Sequence, residues 1–214
     1  MKVEIWSDLI CPFCYIGKRN FEKALGQFSH KDKVEVIWKS FLLNPDMETN
    51  PEKNINQYLA EIKGWTLDHA KNMHAHVTKM ADKVGLNYDF DRIIVANSLD
   101  AHRLIQLAKT KSKGDEAEER LFKAYFIEGK NIADHSTLMQ MGTDIGLKPD
   151  EIREMLAGNT FIEAVRNDVN EAEQKGITGV PFFVINGKHT VNGAEPSGIF
   201  LKALNDAWDE EKRL

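Results

Sequence analysis

Cys11-Pro12-Phe13-Cys14 contains the only two cysteines of the 214-residue chain, and its neighbours decide how the N-terminal part folds. Upstream, Val3, Ile5 and Trp6 supply a short strand. Downstream, Pro12 suits the first turn of a helix, where a missing N–H leaves nothing unpaired. Phe21, Leu25 and Phe28 then fall at i, i+4 and i+7, so that helix has one apolar face. The motif therefore sits at a strand-to-helix junction. Cys11 lies where unpaired backbone N–H groups and the positive end of the helix dipole converge, which favours negative charge on its sulfur. A thiol in such a place supplies the thiolate that exchange chemistry needs, and a cysteine three residues on reaches back one turn to close a disulfide.

Two other readings of the motif stand beside this one. A structural zinc site needs four ligands, and neither a second C-x-x-C nor a Cys/His pair at knuckle spacing is present. Two buried inert cysteines are the other alternative, but a proline between them at a strand-to-helix junction is a poor way to fill a core. No metal is expected.

The rest of the composition sets bounds. A content of 42% hydrophobic and 9% aromatic residues suffices for a core in one large domain or two small ones. The net charge of −5 is spread over interspersed acids and bases, which gives no electrostatic footprint for nucleic acid or an anionic membrane. The densest basic run, Lys109 to Lys113, is answered at once by Asp115 to Glu119 and reads as a solvated turn. No apolar stretch reaches transmembrane length. The N-terminus enters strand-like sequence without a basic and then apolar leader, so a cytoplasmic location is expected. A reducing compartment disfavours permanent structural disulfides and shifts the weight for Cys11 and Cys14 toward redox chemistry.

Beyond the first helix, residues 34–41 read as a second strand and Asn44-Pro45-Asp46 breaks the pattern. From there to about Gly176 the sequence reads as helical throughout. Thr66 is an N-cap, and Leu67, Ala70, Met73, Val77, Met80, Ala81 and Val84 make a stripe ending at Gly85. Further amphipathic helices are predicted over 93–109, 116–128, 136–145, 149–157 and 160–175. Pro181 to Ile185 is again strand-like, Asn186-Gly187 is a two-residue hairpin signal, His189 to Val191 is the return strand, and a last helix covers 197–212. The flanking strands need each other to form a sheet. The expected architecture is α/β with one discontinuous domain, 1–45 plus 176–214, interrupted by a helical insertion at 46–175.

These residues resemble the DsbA-like thioredoxin-fold family and, within it, the FrnE-like cytoplasmic branch of disulfide oxidoreductases. The resemblance covers nearly the whole chain. It rests on Ser7-Asp8-Leu9-Ile10-Cys11-Pro12-Phe13-Cys14-Tyr15-Ile16-Gly17, on Asn97-Ser98-Leu99-Asp100-Ala101-His102-Arg103-Leu104 and Leu121-Phe122-Lys123-Ala124-Tyr125-Phe126, and on Gly176-Ile177-Thr178-Gly179-Val180-Pro181-Phe182-Phe183. It implies a thioredoxin-like fold with a large all-helical insertion, the dithiol at a helix tip, and a cis Pro181 facing the sulfurs. A proline at the head of a strand belongs at an edge, at the first residue or in a special turn. A cis bond there leaves the Val180 backbone free to pair with an extended substrate, whereas a trans proline merely starts the strand.

The activity so implied is thiol–disulfide exchange on protein or small-molecule substrates, with a mixed disulfide at Cys11 that Cys14 resolves. No cofactor beyond the Cys11–Cys14 disulfide is expected, glutathione being a candidate reductant. Phe13 replaces the histidine of strongly oxidising periplasmic members, so a weaker oxidant is expected. Asp8 has two readings, a proton acceptor tuning the dithiol or a cap on the following turn. Trp6 and Phe13 read as an apolar collar for docking substrate, although an aromatic in a core strand is commonplace. His102 faces the cleft between domains or packs under the helical block. His69 and His76 lie two turns apart, about 10 Å along a helix, too far to share a metal without a third element, so these and His74 read as solvated surface. Glu195 is an ordinary first-turn acid.

Kappa-type glutathione transferases and 2-hydroxychromene-2-carboxylate isomerases look like the same architecture and bind glutathione partly through the loop after the last strand. Their motif carries serine where Cys11 stands and has no resolving cysteine. A non-catalytic redox sensor or client-binding protein is the third class.

Overall fold

The computed structural model describes residues 1–212; Arg213 and Leu214, which the sequence reading places in the second segment of the discontinuous domain, lie outside the described residues. The chain begins with β1 (Lys2–Ser7), α1 (Pro12–Gln27) and β2 (Glu35–Ser40). There follow β3 (Asn50–Asn54), α2 (Ile55–Lys63), α3 (Leu67–Asp82), β4 (Ile94–Val95), α4 (Leu99–Lys109), α5 (Gly114–Phe126), α6 (His135–Asp144), α7 (Pro149–Ala157) and α8 (Ile162–Gln174). The chain closes with β5 (Phe182–Ile185), β6 (His189–Asn192) and α9 (Ser197–Glu211).

The two ends share one sheet in the order β2-β1-β5-β6. β1 and β2 are parallel, as a βαβ crossover requires, while β5 runs antiparallel to both β1 and β6. Asn186 and Gly187 both have positive φ, 50° and 70°, as a two-residue primed turn demands. Every residue of β1 after Lys2 is buried because both sheet faces are covered. On one face Val3, Ile5, Phe183 and Ile185 meet Phe21 of α1 and Phe200 and Leu204 of α9. On the other, Trp6 and Val184 pack with Ala172 and Ile177 beneath α8.

A polar hub fastens α8 to this second face. The buried Asp168 accepts from the Ser40 amide at 3.0 Å and from Gln106 Nε2 at 2.7 Å, and its backbone carbonyl accepts from the Trp6 indole at 3.0 Å. One aspartate thus ties β1, β2 and α4 to α8.

The insertion departs from the sequence expectations at four points. It is not wholly helical, since β3 and β4 pair antiparallel as a separate two-stranded sheet. The helix expected from residue 93 starts at Leu99, because the Asn97 amide donates to Thr49 Oγ1 at 3.0 Å and the Asn97 side chain takes the Leu99 amide at 2.8 Å. His74 is buried, not solvated: its ring stacks on Phe90 at 4.0 Å and its Nδ1 lies 2.6 Å from Asn56 Oδ1. Lys109 also leaves the solvated-turn reading, its Nζ donating to the Trp38 carbonyl at 2.9 Å.

Candidate active site

Cys11 is the N-cap of α1, extended at φ −90° and ψ 112°, with Pro12 in the first helical turn. The Cys11 amide donates to the Asp8 carbonyl and the Cys14 amide to the Cys11 carbonyl, each at 3.0 Å, so the connection folds as two successive tight turns. Both cysteines are free thiols. Cys11 is 5% exposed and Cys14 1%. Burial and then the neighbouring Cys11 push the Cys14 thiol well up, against opposing contributions from the Asp8 backbone and the Ser7 side chain. Cys14 is therefore held as a neutral thiol. Phe13 at 36% exposed, with half-buried Pro12, forms the outer lip of the turn.

The far side of the dithiol is the Val180–Pro181 segment, whose peptide bond is cis. The Val180 carbonyl accepts from Cys11 Sγ at 3.5 Å. The Pro181 ring comes so close to α1 that a Cβ on Gly17 would stand 2.8 Å from its Cγ, so only glycine lets helix and loop meet here. The Pro181 carbonyl is taken by the Gly193 amide at 2.8 Å, tying the loop to the residues before α9.

Asp8 is fully buried and joins three segments. Its carboxylate takes the Leu43 amide at 2.8 Å and the Ile10 amide at 3.4 Å, and lies 3.3 Å from His102 Nε2. Two site expectations are corrected at this point. His102 is fully buried against Asp8 and lines no cleft. Trp6 is equally buried, its indole N–H committed to α8, so it cannot form a collar for substrate. Glu195 is exposed just ahead of α9. Among the described residues no group of three or more His, Cys, Asp or Glu side chains is arranged to hold a metal.

Of two residues that the sequence reading passed over, one lies against this site and the other is buried in α5 within electrostatic reach of Asp8. Tyr88, in the connection between α3 and β4, donates its hydroxyl to the Pro12 carbonyl at 2.8 Å. Glu118 of α5 is buried with Oε2 unpartnered, and burial pushes its carboxyl up to about 8 despite the pull of Lys18. Asp8 is among the charges that raise it. An alternating Leu86-Asn87-Tyr88-Asp89-Phe90 was the one local signal that the loop around Tyr88 presents an apolar face.

Helix α1 also carries a charged outer flank. Lys18, buried to its ammonium, pairs with Glu22, Asp115 and Glu119, while Arg19 and the Tyr15 hydroxyl both engage Glu119. This network joins α1 to α5 beside Trp38 of β2, whose indole N–H donates to Asp115 at 3.0 Å.

Fold and site together define a thioredoxin-fold protein with a Cys-x-x-Cys turn at the tip of its first helix and a cis proline beside it. Residues 2–205 match the DSBA-like thioredoxin domain, and the chain belongs to that family. It is 32% identical over 212 residues to the uncharacterized protein YwbO of Bacillus subtilis (strain 168), covering 95% of this chain and 96% of that one. The crystal structure of a probable DsbA oxidoreductase from Streptomyces coelicolor is 35% identical, with a TM-score of 0.92 over 98% of this chain and 91% of the other. The fold extends to more distant structures. A 2-hydroxychromene-2-carboxylate isomerase superposes with a TM-score of 0.73 at 13% identity, over 100% and 98% of the two chains. The cytosolic disulfide reductase DsbM from Pseudomonas aeruginosa superposes with a TM-score of 0.65 at 16% identity, over the same shares, and has also been solved with GSH.

Proposed function

We propose that the protein is a thiol–disulfide oxidoreductase working through Cys11 and Cys14. The observation that carries this reading is the asymmetry of the pair: Cys11 is the N-cap of α1 with its sulfur against the Val180 carbonyl, whereas Cys14 lies one turn inside, held as a neutral thiol. In the reducing direction Cys11 thiolate attacks a substrate disulfide, forming the mixed disulfide and releasing one substrate thiolate. Cys14, losing its proton, then attacks Cys11 Sγ. That step closes the Cys11–Cys14 disulfide and expels the second substrate thiolate; two electrons have passed to the substrate. The oxidising direction is the reverse. Val180, with its backbone beside Cys11, is the place where an extended substrate segment would pair.

An insulin-reduction assay tests the proposal. Cys11→Ser should lose turnover at least a hundredfold, and turnover that survives the substitution removes the dithiol from the mechanism. Cys14→Ser should accumulate mixed disulfides on Cys11, identified by mass spectrometry; adducts found instead on Cys14 of Cys11→Ser would reverse the two roles.

The site is proposed to work in the cytoplasm, with a potential below that of strongly oxidising periplasmic relatives because Phe13 stands where those carry histidine. Glutathione is the proposed reductant. A hollow of about 480 Å³ beside α1, lined by Lys23, Lys83, Ala194, Pro196 and Ser197 among others, offers cationic side chains for its carboxylates. The isomerase-type fold neighbour keeps glutathione-dependent isomerisation as the second reading. A cysteine at position 11 where that class has serine, with a resolving partner, weighs against it.

A further inference from the structure

We infer that Tyr88 is a positioning residue through which the helical insertion holds the Cys11–Cys14 turn and biases it toward the dithiol form. The inference rests on the redox reading above. Its starting point is geometric. The Tyr88 hydroxyl reaches across from the insertion and donates to the carbonyl of Pro12, inside the four-residue motif, at 2.8 Å. That carbonyl belongs to the first residue of α1, where a helical acceptor receives the N–H four residues on; Tyr88 takes its second lone pair.

The phenol is rigidly held. Its ring stacks on Phe126 with centroids 4.7 Å apart, meets Phe90 edge-on at 5.8 Å and lies over Tyr15 at 6.2 Å. Cys11, Cys14 and Tyr15 belong to the same packed cluster as Leu86, Tyr88 and Phe90 of the insertion. Burial, and after it charge on Cys11, pushes the Tyr88 hydroxyl far up, so it remains a neutral donor at any working pH while standing in electrostatic reach of both sulfurs.

The redox consequence follows from what closing the disulfide does to the turn. The two sulfurs must come to about 2.05 Å with a dihedral near 90°. Backbone groups between them then shift relative to whatever grips them from outside. Tyr88 grips the turn with both thiols free. A bond matched to one redox form stabilises that form relative to the other, and one neutral hydrogen bond shifts an equilibrium by about threefold to tenfold.

The test is a thermodynamic cycle on Tyr88→Phe, which keeps the ring and deletes the hydroxyl. The thiol–disulfide equilibrium constant is measured against a glutathione redox buffer, and unfolding is followed for the reduced and oxidised proteins separately. The equilibrium should move about threefold to tenfold toward the disulfide, with the reduced form losing more stability than the oxidised one. Equal destabilisation of both forms, or a shift toward the dithiol, overturns the inference. Tyr15→Phe, whose hydroxyl points to Glu119 instead, should leave the equilibrium within about twofold; an equal shift there would assign the effect to the loss of any buried hydroxyl beside the motif and overturn the role of the Pro12 bond. Should Tyr88→Phe not fold, a carbon-13 carbonyl label on Pro12 in the wild type serves instead. Its signal should show a stronger hydrogen bond in the dithiol than in the disulfide form, and identical signals overturn the inference. The cycle requires only that the Cys11–Cys14 disulfide forms, so it can fail while insulin turnover stands, and turnover can fail while it holds.

Discussion

The core under the sheet and the core of the insertion are built differently, and α1 belongs to both. Beneath the sheet, Val3, Ile5, Phe21, Phe183, Ile185, Phe200 and Leu204 interlock as a purely apolar cluster, with Phe183 meeting Phe200 edge-on at 4.6 Å. The insertion core contains more apolar side chains but threads polar ones among them: His102, Arg103, Gln106 and Glu118 are all buried. Arg103, for example, donates to the backbone carbonyls of Met155, Gly158 and Thr160, closing the loop between α7 and α8. Phe21 and Ala24 of α1 face the sheet core, while Cys11, Cys14, Tyr15 and Ile16 at its tip face the insertion core. The dithiol is carried by the sheet-bearing part of the sequence but is packed by the insertion. The packing of the sheet and the packing of the dithiol are therefore placed on different parts of one helix.

The largest effect expected from this division is on stability alone. Phe183→Ala should lower unfolding free energy by about 3–5 kcal/mol, as measured by denaturant titration, and leave the reduction potential where it was. A potential that moved with it would break the division.

Next comes Glu118→Gln. The folded carboxyl titrates at about 8 against an ordinary 4.5, because burial disfavours its charged form. Between those values the folded protein holds a proton that the unfolded chain has released. The Glu118 contribution to stability should thus be full below about pH 4.5, decline as pH rises, and level off above about pH 8, by on the order of a few kcal/mol. Urea melts across that range should show this slope flattened in Glu118→Gln; an unchanged slope would mean that another group supplies it.

The smallest effect expected is at His74, where burial lowers the imidazole from 6.5 to about 4. Here the fold favours the neutral form, so the contribution is complete above about pH 6.5 and is lost as pH falls toward 4, by about 3 kcal/mol. His74→Gln should remove that acid-side loss. The two titrations run in opposite directions, and both should persist unchanged in variants confined to the sheet core.

Much of this was legible along the chain because it depends on neighbours in sequence. The helix after Pro12, the turn at Asn186-Gly187 and the cap at Thr66 follow from local backbone preferences, and all three stand where the residues predict. Trp6, His74 and His102 were misplaced for one shared reason. Each is an amphipathic side chain, and what satisfies its polar atom, Asp168 for Trp6, Asn56 for His74 and Asp8 for His102, arrives from 18 to 162 residues away.

The sequence by itself determined a strand-turn-helix carrying two cysteines, a closing hairpin with a proline at its head, and amphipathic helices between them, since periodicity and turn chemistry are local properties. Only the tertiary structure decided which groups surround the sulfurs. Val180 reaches Cys11 once β5 has paired with β1, and Tyr88 reaches the Pro12 carbonyl and His102 reaches Asp8 once the insertion has folded back onto the tip of α1. Contacts of that kind are set by the packing of whole elements, and a hydrogen-bonding side chain carries no mark of which distant partner it will meet.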